Sequence, residues 1–457
     1  MWSCFSAALV LTLAWGGPSA ARGATVGVSS DPLPSGMLAS AIAARASLGF
    51  PIDDAAVAGL TVDSITEYGA ALTSDELATL DARIQLQLRL AEARNVAAGA
   101  VDVVTGVSVQ PDGHVIVTTT DADSEATKAV EGAVPASASL DVVVVPYSEA
   151  DLARLQEEVI SDVKDLGSRG IDLTSVGIDP LHDEVVAGVA EPASDVADYL
   201  VARYGPGLSV HQGSITTTSC TGCKTFSPIR GGLEMLNAHG FDSGLEQCTT
   251  GFNARPSGSG TARYVIAAGH CWPSTTTTTI THNGTNIGAV TADTLGSGCC
   301  LLADSLRLTR NSSLSGTPWN ALYLETPPHP PVTAYPITGQ VNHTALGIGD
   351  AVCAMGVTSQ VRCGTINALD QTYWARGYSK SDNSRWGTTL FQFNGMVEAS
   401  FYSYEGDSGG PVYIANQAYG IVAATDGSNS FFSAIDLAMS ELSFAGTLRL
   451  CLNSACS

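Results

Sequence analysis

Glu405-Gly406-Asp407-Ser408-Gly409-Gly410-Pro411-Val412 is the stretch on which the reading of this chain turns. A serine hydroxyl is a poor nucleophile at neutral pH. It needs an adjacent base, and N–H donors aimed at the oxyanion that develops when it attacks a carbonyl. The glycines here permit a tight turn that no side chain obstructs, so the backbone N–H groups of Gly406 and Ser408 are expected to converge on one spot. A Gly-rich hairpin that holds a serine by accident is the plainer alternative. The full octet is much more specific than a bare G-x-S-x-G.

The base is found upstream. In Val265-Ile266-Ala267-Ala268-Gly269-His270-Cys271 an apolar strand runs into two small residues and a glycine, leaving a histidine at the strand end beside a cysteine. Such a cysteine can staple the histidine's loop to an earlier strand, and Cys248 is the natural partner. Leu301-Leu302-Ala303-Asp304 opens an alternating strand through Leu306 and Leu308, so Asp304 is the candidate for orienting the histidine. Asp293 competes, but Thr-Leu-Gly-Ser-Gly after it reads as a loop. The order His270, Asp304, Ser408 excludes an α/β-hydrolase, in which the histidine follows the serine; no histidine lies between Gly409 and Ser457.

These strings resemble the signature motifs of chymotrypsin-like serine peptidases, and most closely the secreted bacterial branch that includes α-lytic protease and the streptogrisins. Ile229-Arg230-Gly231-Gly232 resembles that branch's mature start, and Cys248-Thr-Thr-Gly-Phe252 its first cysteine strand. Val352 to Ile366 resembles its internal disulfide loop, which implies a Cys353–Cys363 bridge. The front half, above all Asp172-Leu-Thr-Ser-Val-Gly-Ile-Asp179, is similar to its long pro-regions.

The resemblance implies a secreted zymogen. Residues 1–21 would be a signal peptide, 22–228 an α+β pro-region that assists folding and then inhibits, and 229–457 an all-β trypsin-like domain of two six-stranded antiparallel β-barrels. The expected activity is hydrolysis of peptide bonds through an acyl-enzyme. Its partners would be a protein or peptide substrate and its own pro-region; no cofactor or metal is called for, and a monomer is expected. The rival from another class is a catalytically inactive homologue that binds proteins outside the cell.

There are also departures from the family. The cysteine pair that usually encloses the serine loop is missing, and Cys299, Cys300, Cys451 and Cys456 allow three pairings. Where trypsin-like members hold an aspartate at the pocket floor, this chain has Tyr402. A branched Thr425 stands where the pocket wall typically carries glycine. Both changes imply a preference for small or medium apolar residues before the scissile bond.

The rest of the sequence fits an exported protein. An apolar stretch from Phe5 to Trp15 precedes Ser19-Ala20-Ala21, the small-residue pattern of a signal peptide cut after Ala21. No other segment has 18 consecutive apolar residues, so no membrane span is expected afterwards. Of the 11 cysteines, all but Cys4 lie between Cys220 and Cys456, which reads as disulfides. Cys220-Thr-Gly-Cys223 has no second pair at zinc spacing.

The net charge of −23 sits mainly in front: residues 1–225 carry 29 acids against 11 bases (−18) and residues 226–457 carry 15 against 10 (−5). Neither half has the basic footprint of a nucleic-acid binder. Helical spacing at Leu77–Ala97 and Glu149–Leu166, with strand-like runs at His114–Thr120, Leu140–Val145 and Glu184–Val189, makes the front half α+β. Val115–Val145 and Val185–Val210 share a strand–acidic helix–strand pattern suggestive of a repeat. Behind Gly213, many short strands punctuated by Gly, Asn and Pro read as an antiparallel barrel or sandwich.

Overall fold

The computed structural model describes residues 35–190, 194–212, 229–237, 247–258, 262–272, 279–294, 301–314, 320–326, 329, 331–376, 390–443 and 448–452. The proposed signal peptide, the Cys220–Cys223 pair, Cys299, Cys300 and Cys456 lie outside the described residues. Among the described residues no helix is long and apolar enough to cross a membrane.

Two copies of one topology build the front half. Strands β1 (Val104–Val109) and β2 (Val115–Thr119) pair antiparallel, the helix Glu125–Ala133 crosses over, and β3 (Leu140–Val144) returns parallel to β2. Strands β4 (Leu173–Asp179) and β5 (Glu184–Val189), the helix Ser194–Tyr204 and β6 (Leu208–Gln212) repeat this order and these directions. The repeated pattern in the sequence therefore corresponds to a repeated β-β-α-β unit. β-Branched residues recur in these strands, as in Val115-Ile-Val-Thr-Thr119, and Ser124 caps the first crossover helix by accepting the N–H of Thr127.

The helix expected over Leu77–Ala97 is two, Ser74–Gln87 and Ala91–Ala98. Thr73 and Glu76 form a reciprocal capping box at the start of the first. The break serves the tertiary structure. Gln87 exchanges hydrogen bonds with the backbone of Ala351 (2.9 and 2.8 Å), and Arg94 reaches Asp350 in a buried two-pronged ion pair, both bonds 2.7 Å.

The rear half is made mostly of antiparallel strands in two large sheets, beside a separate pair of strands, Ala321–Leu324 and Val332–Pro336. One holds eight strands in the spatial order Leu448–Leu450, Phe252–Pro256, Tyr264–Ala267, Leu306–Arg310, Thr285–Asp293, Thr279–His282, Glu234–Asn237 and Gln247–Thr249. In the other, pairing runs from Ala351–Gly356 through Pro411–Ile414, Gln417–Thr425, Ser430–Ala434, Leu390–Ala399 and Gln360–Arg376, and returns to Ala351–Gly356. Ala415 and Asn416, both at positive φ, close the hairpin between Pro411–Ile414 and Gln417–Thr425.

The expectation of two six-stranded barrels is modified by this pattern. Short edge strands bring the first sheet to eight, in an open path among the described residues. The second sheet grows to ten strands because β4 adds to the long strand Gln360–Arg376, with Leu369 opposite Ile178 and Tyr373 opposite Ser175, and brings β5 and β6 with it, while the two-residue strand Gly339–Gln340 pairs parallel with Gln417–Thr425. The two halves also share a core. Leu48, Leu72, Leu80 and Ile84 pack in one cluster with Leu346, Ile348, Val352, Tyr419 and Phe432.

Candidate functional site

Register brings the site together. The strand Tyr264–Ala267 pairs antiparallel with Leu306–Arg310, Ala267 opposite Leu306, so the residues just after the first and just before the second emerge side by side. Those residues are His270 and Asp304. The His270 N–H donates to Asp304 Oδ1 (2.9 Å), and the ring Nδ1 meets Asp304 Oδ2 in a second, shorter contact. Gly269 leaves room for this approach, since a Cβ there would stand 2.9 Å from Asp304 Oδ1 and 2.8 Å from the Ser305 carbonyl. Asp304 is fully buried and its own N–H donates to Ser433 Oγ (2.9 Å).

Ser408 arrives from the second sheet, three residues before the strand Pro411–Ile414. Its Oγ lies 2.8 Å from His270 Nε2. The turn is pinned to the first sheet: Thr249 N–H donates to the Ser408 carbonyl (2.8 Å) and Thr249 Oγ1 to the Gly406 carbonyl (2.6 Å). Gly406 and Gly409 adopt φ of +95° and +83°, a region that penalises any Cβ. The N–H groups of Gly406 and Ser408 have no acceptor among the described residues.

Asp407, between them, points away from the histidine. Its carboxylate accepts the N–H groups of Thr358 (2.9 Å), Ser359 (3.1 Å) and Tyr404 (2.7 Å). Burial raises its carboxyl above the usual range, and these hydrogen bonds oppose the rise. The carboxylate therefore locks the turn from behind.

The disulfides Cys248–Cys271 and Cys353–Cys363 are both formed. Cys451 is disulfide-bonded as well. Asp293, the competing acid, ends the strand Thr285–Asp293 opposite Leu306 and makes no hydrogen bond to His270.

The two pocket candidates have different surroundings. Tyr402 packs edge-on against Tyr404, with ring centroids 4.4 Å apart, and lines a cavity of about 610 Å³ together with Arg362, Phe401, Gly427 and the helix Ser35–Ser47. Thr425 is buried, and its hydroxyl donates to the Asn429 carbonyl (2.6 Å). It braces a turn and is not among the residues lining that cavity.

Sequence reading missed Ser433 and Thr249, which hold Asp304 and the serine turn through backbone groups. The available signal was serines among large apolar residues in a strand buried on both faces, as in Ser430-Phe-Phe-Ser433, where each hydroxyl needs a partner. Among the described residues no group of three or more metal-ligating side chains is present.

Residues 257–434 match the family model described as Trypsin. Streptogrisin-D of Streptomyces griseus is 24% identical over 299 residues, covering 63% of this chain and 66% of that protein. The chain thus spans about two-thirds of the length of this curated relative. Among solved structures, Thermobifida fusca protease A is 24% identical over 49% of this chain and 99% of its own, with a TM-score of 0.35. Nocardiopsis protease is 22% identical over 49% and 98%, also at 0.35.

Proposed function

Because residues 257–434 are a trypsin-family domain, we propose that this protein is a serine endopeptidase made as an exported zymogen. The observation that carries the reading is the hydrogen-bonded row Asp304–His270–Ser408, in that spatial order. In this reading His270 Nε2 takes the proton of Ser408 Oγ as the oxygen attacks a peptide carbonyl. The unengaged N–H groups of Gly406 and Ser408 receive the oxyanion, and Asp304 holds the ring tautomer and stabilises the imidazolium. His270 then protonates the leaving amine, and the acyl-enzyme is hydrolysed by water with His270 again as base.

A fluorophosphonate probe tests the assignment. It should label the matured protein, and Ser408→Ala should abolish the label. No labelling would favour an inactive homologue that binds proteins.

In the zymogen reading, residues 1–21 are a signal peptide, 22–228 the pro-region and 229–457 the peptidase, its two sheets taken as the two barrels of the family. The return of pairing to Ala351–Gly356 supports the second barrel, and the disulfides support secretion. The active species should begin near Ile229. That residue packs into the core of the first sheet with Met235, Cys248 and Val265, and a Ser/Thr/Gly-rich stretch precedes it. N-terminal sequencing of active enzyme checks this; a start before His211 or after Cys248 is incompatible.

Specificity should favour small or medium apolar residues before the scissile bond, because Tyr402 supplies no charge. Discrimination of about 1–3 kcal/mol per methylene makes this preference graded. Rates on matched peptides with Ala, Val, Leu, Phe, Arg or Glu at that position decide it, and an optimum at Arg or Glu would refute it.

A further inference from the structure

Glu398 is a buried carboxylic acid for which the proposed chemistry has no use. It lies on the strand Leu390–Ala399 opposite Phe431, ten residues before the nucleophile. Its Oε1 accepts a 2.7 Å hydrogen bond from Asn429 Nδ2, and Asn367 Nδ2 donates to Asn429 Oδ1 at 3.3 Å. The Asn429 side chain is thus clasped on both sides by groups of the second sheet.

Asn429 closes the turn that leaves the strand beneath the nucleophile. Gly409 N–H donates to the Val422 carbonyl (2.7 Å) and Val422 N–H to the Gly410 carbonyl (2.9 Å), so the chain after Val422 runs past Ser408. The turn itself is internally braced. Thr425 Oγ1 donates to the Asn429 carbonyl, and Asp426 Oδ1 accepts the N–H groups of Ser428 (2.7 Å) and Asn429 (2.6 Å). Gly427 of this turn lines the same cavity as Tyr402.

We propose that Glu398 is a positioning residue for substrate binding, holding the Thr425–Asn429 turn in register with the Ser408 site through Asn429. This inference rests on the peptidase reading above. It assigns to a residue that never meets substrate the setting of the wall that does.

The charged groups that face Glu398 are Asp426 from the turn itself and Asp179 at the end of β4, the latter paired with His182 Nδ1 at 2.7 Å. Burial first, then the charge of Asp426, raises the carboxyl to about 7, with Asp179 adding a smaller push and the Asn429 hydrogen bond opposing. The sign follows. A raised value means that the native arrangement favours the protonated acid, so ionisation as pH climbs through about 7 sets a charge against Asp426 and loosens the turn. KM should rise across that interval while kcat, set by the His270 and Ser408 row, follows its own profile.

The test is steady-state kinetics on the matured enzyme from pH 5.5 to 8.5 with an apolar peptide substrate, fluorophosphonate labelling being run on the same preparations. Glu398→Gln keeps the volume and the acceptor, so it should fold and label normally, keep kcat within about threefold, and flatten the rise in KM. Glu398→Ala and Asn429→Ala should each raise KM about tenfold at pH 6, and the double variant no further, because both cut one link. A Glu398→Gln enzyme that retains the wild-type KM profile overturns the inference, as do additive effects in the double variant or a loss confined to kcat. Normal labelling with these outcomes sinks this inference alone, whereas an unlabelled wild-type enzyme sinks the peptidase reading and this inference with it.

Discussion

Asp304→Asn is expected to lower turnover about 10⁴-fold with little change in KM. The geometry gives the reason. Asp304 Oδ1 already accepts the His270 N–H, so an asparagine would keep its carbonyl oxygen there and turn its NH₂ toward the ring. Nδ1 would then have to accept, the ring proton would sit on Nε2, and Nε2 could no longer take the proton of Ser408 Oγ, 2.8 Å away. Ser408→Ala should cost about 10⁶, leaving only what the oxyanion donors and binding contribute. Measured kcat for both variants, with thermal unfolding to show that the fold is kept, checks the assignment. An Asp304→Asn enzyme within tenfold of wild type would move the orienting role elsewhere.

The second large effect concerns the front half. Residues 229–457 expressed alone should be inactive, and activity should appear when residues 22–228 are supplied in trans. An all-β domain dominated by non-local pairing folds slowly, and here part of its core comes from the other half, through Leu48, Leu72, Leu80 and Ile84. The contact is polar as well as apolar. Burial raises the Asp350 carboxyl and Arg94 pulls it down, so Arg94→Ala would strand a buried acid at a cost of about 3–5 kcal/mol. Recovered activity with the Arg94→Ala front half should therefore fall steeply, and Asp350→Ala in the rear half should restore part of it. Full activity of residues 229–457 by themselves would refute the assisting role.

What the sequence revealed, and what it hid, follows from the range of the interactions. His270, Asp304 and Ser408 were legible because each sits in a short string whose small residues exist for close approach, such as Gly269 against the Ser305 carbonyl. The strands Tyr264–Ala267 and Glu184–Val189 match their expected bounds because apolar alternation is local. The break after Gln87 was not legible, since its cause is a partner 264 residues away. Nor was the full reach of Gln360–Arg376, where register shifts between Ile366 and Tyr373 interrupt the alternation on which strand recognition depends. The hydrogen bond from the Thr425 hydroxyl to the Asn429 carbonyl was likewise not legible, since it depends on how the turn after the strand folds back.

The seam between β4 and Gln360–Arg376 has a cost once the halves separate. Departure of the front half uncovers a row of backbone donors and acceptors from Leu369 to Tyr373, the kind of naked sheet margin along which protein molecules stick to one another and grow into fibres. The same irregularities that hid this strand from the sequence reading offer protection. A jump at Ala368/Gln371, three residues set against two of the neighbouring strand, and a left-handed Asp370 deform the margin, so a second molecule offering a flat strand finds no continuous ladder. A partner must instead accommodate the deformity, as β4 does by setting Ile178 and Val176, two residues apart, against Leu369 and Thr372, three apart. In the zymogen reading, the irregular strand would thus accept its own front half while offering other copies no regular edge to pair with.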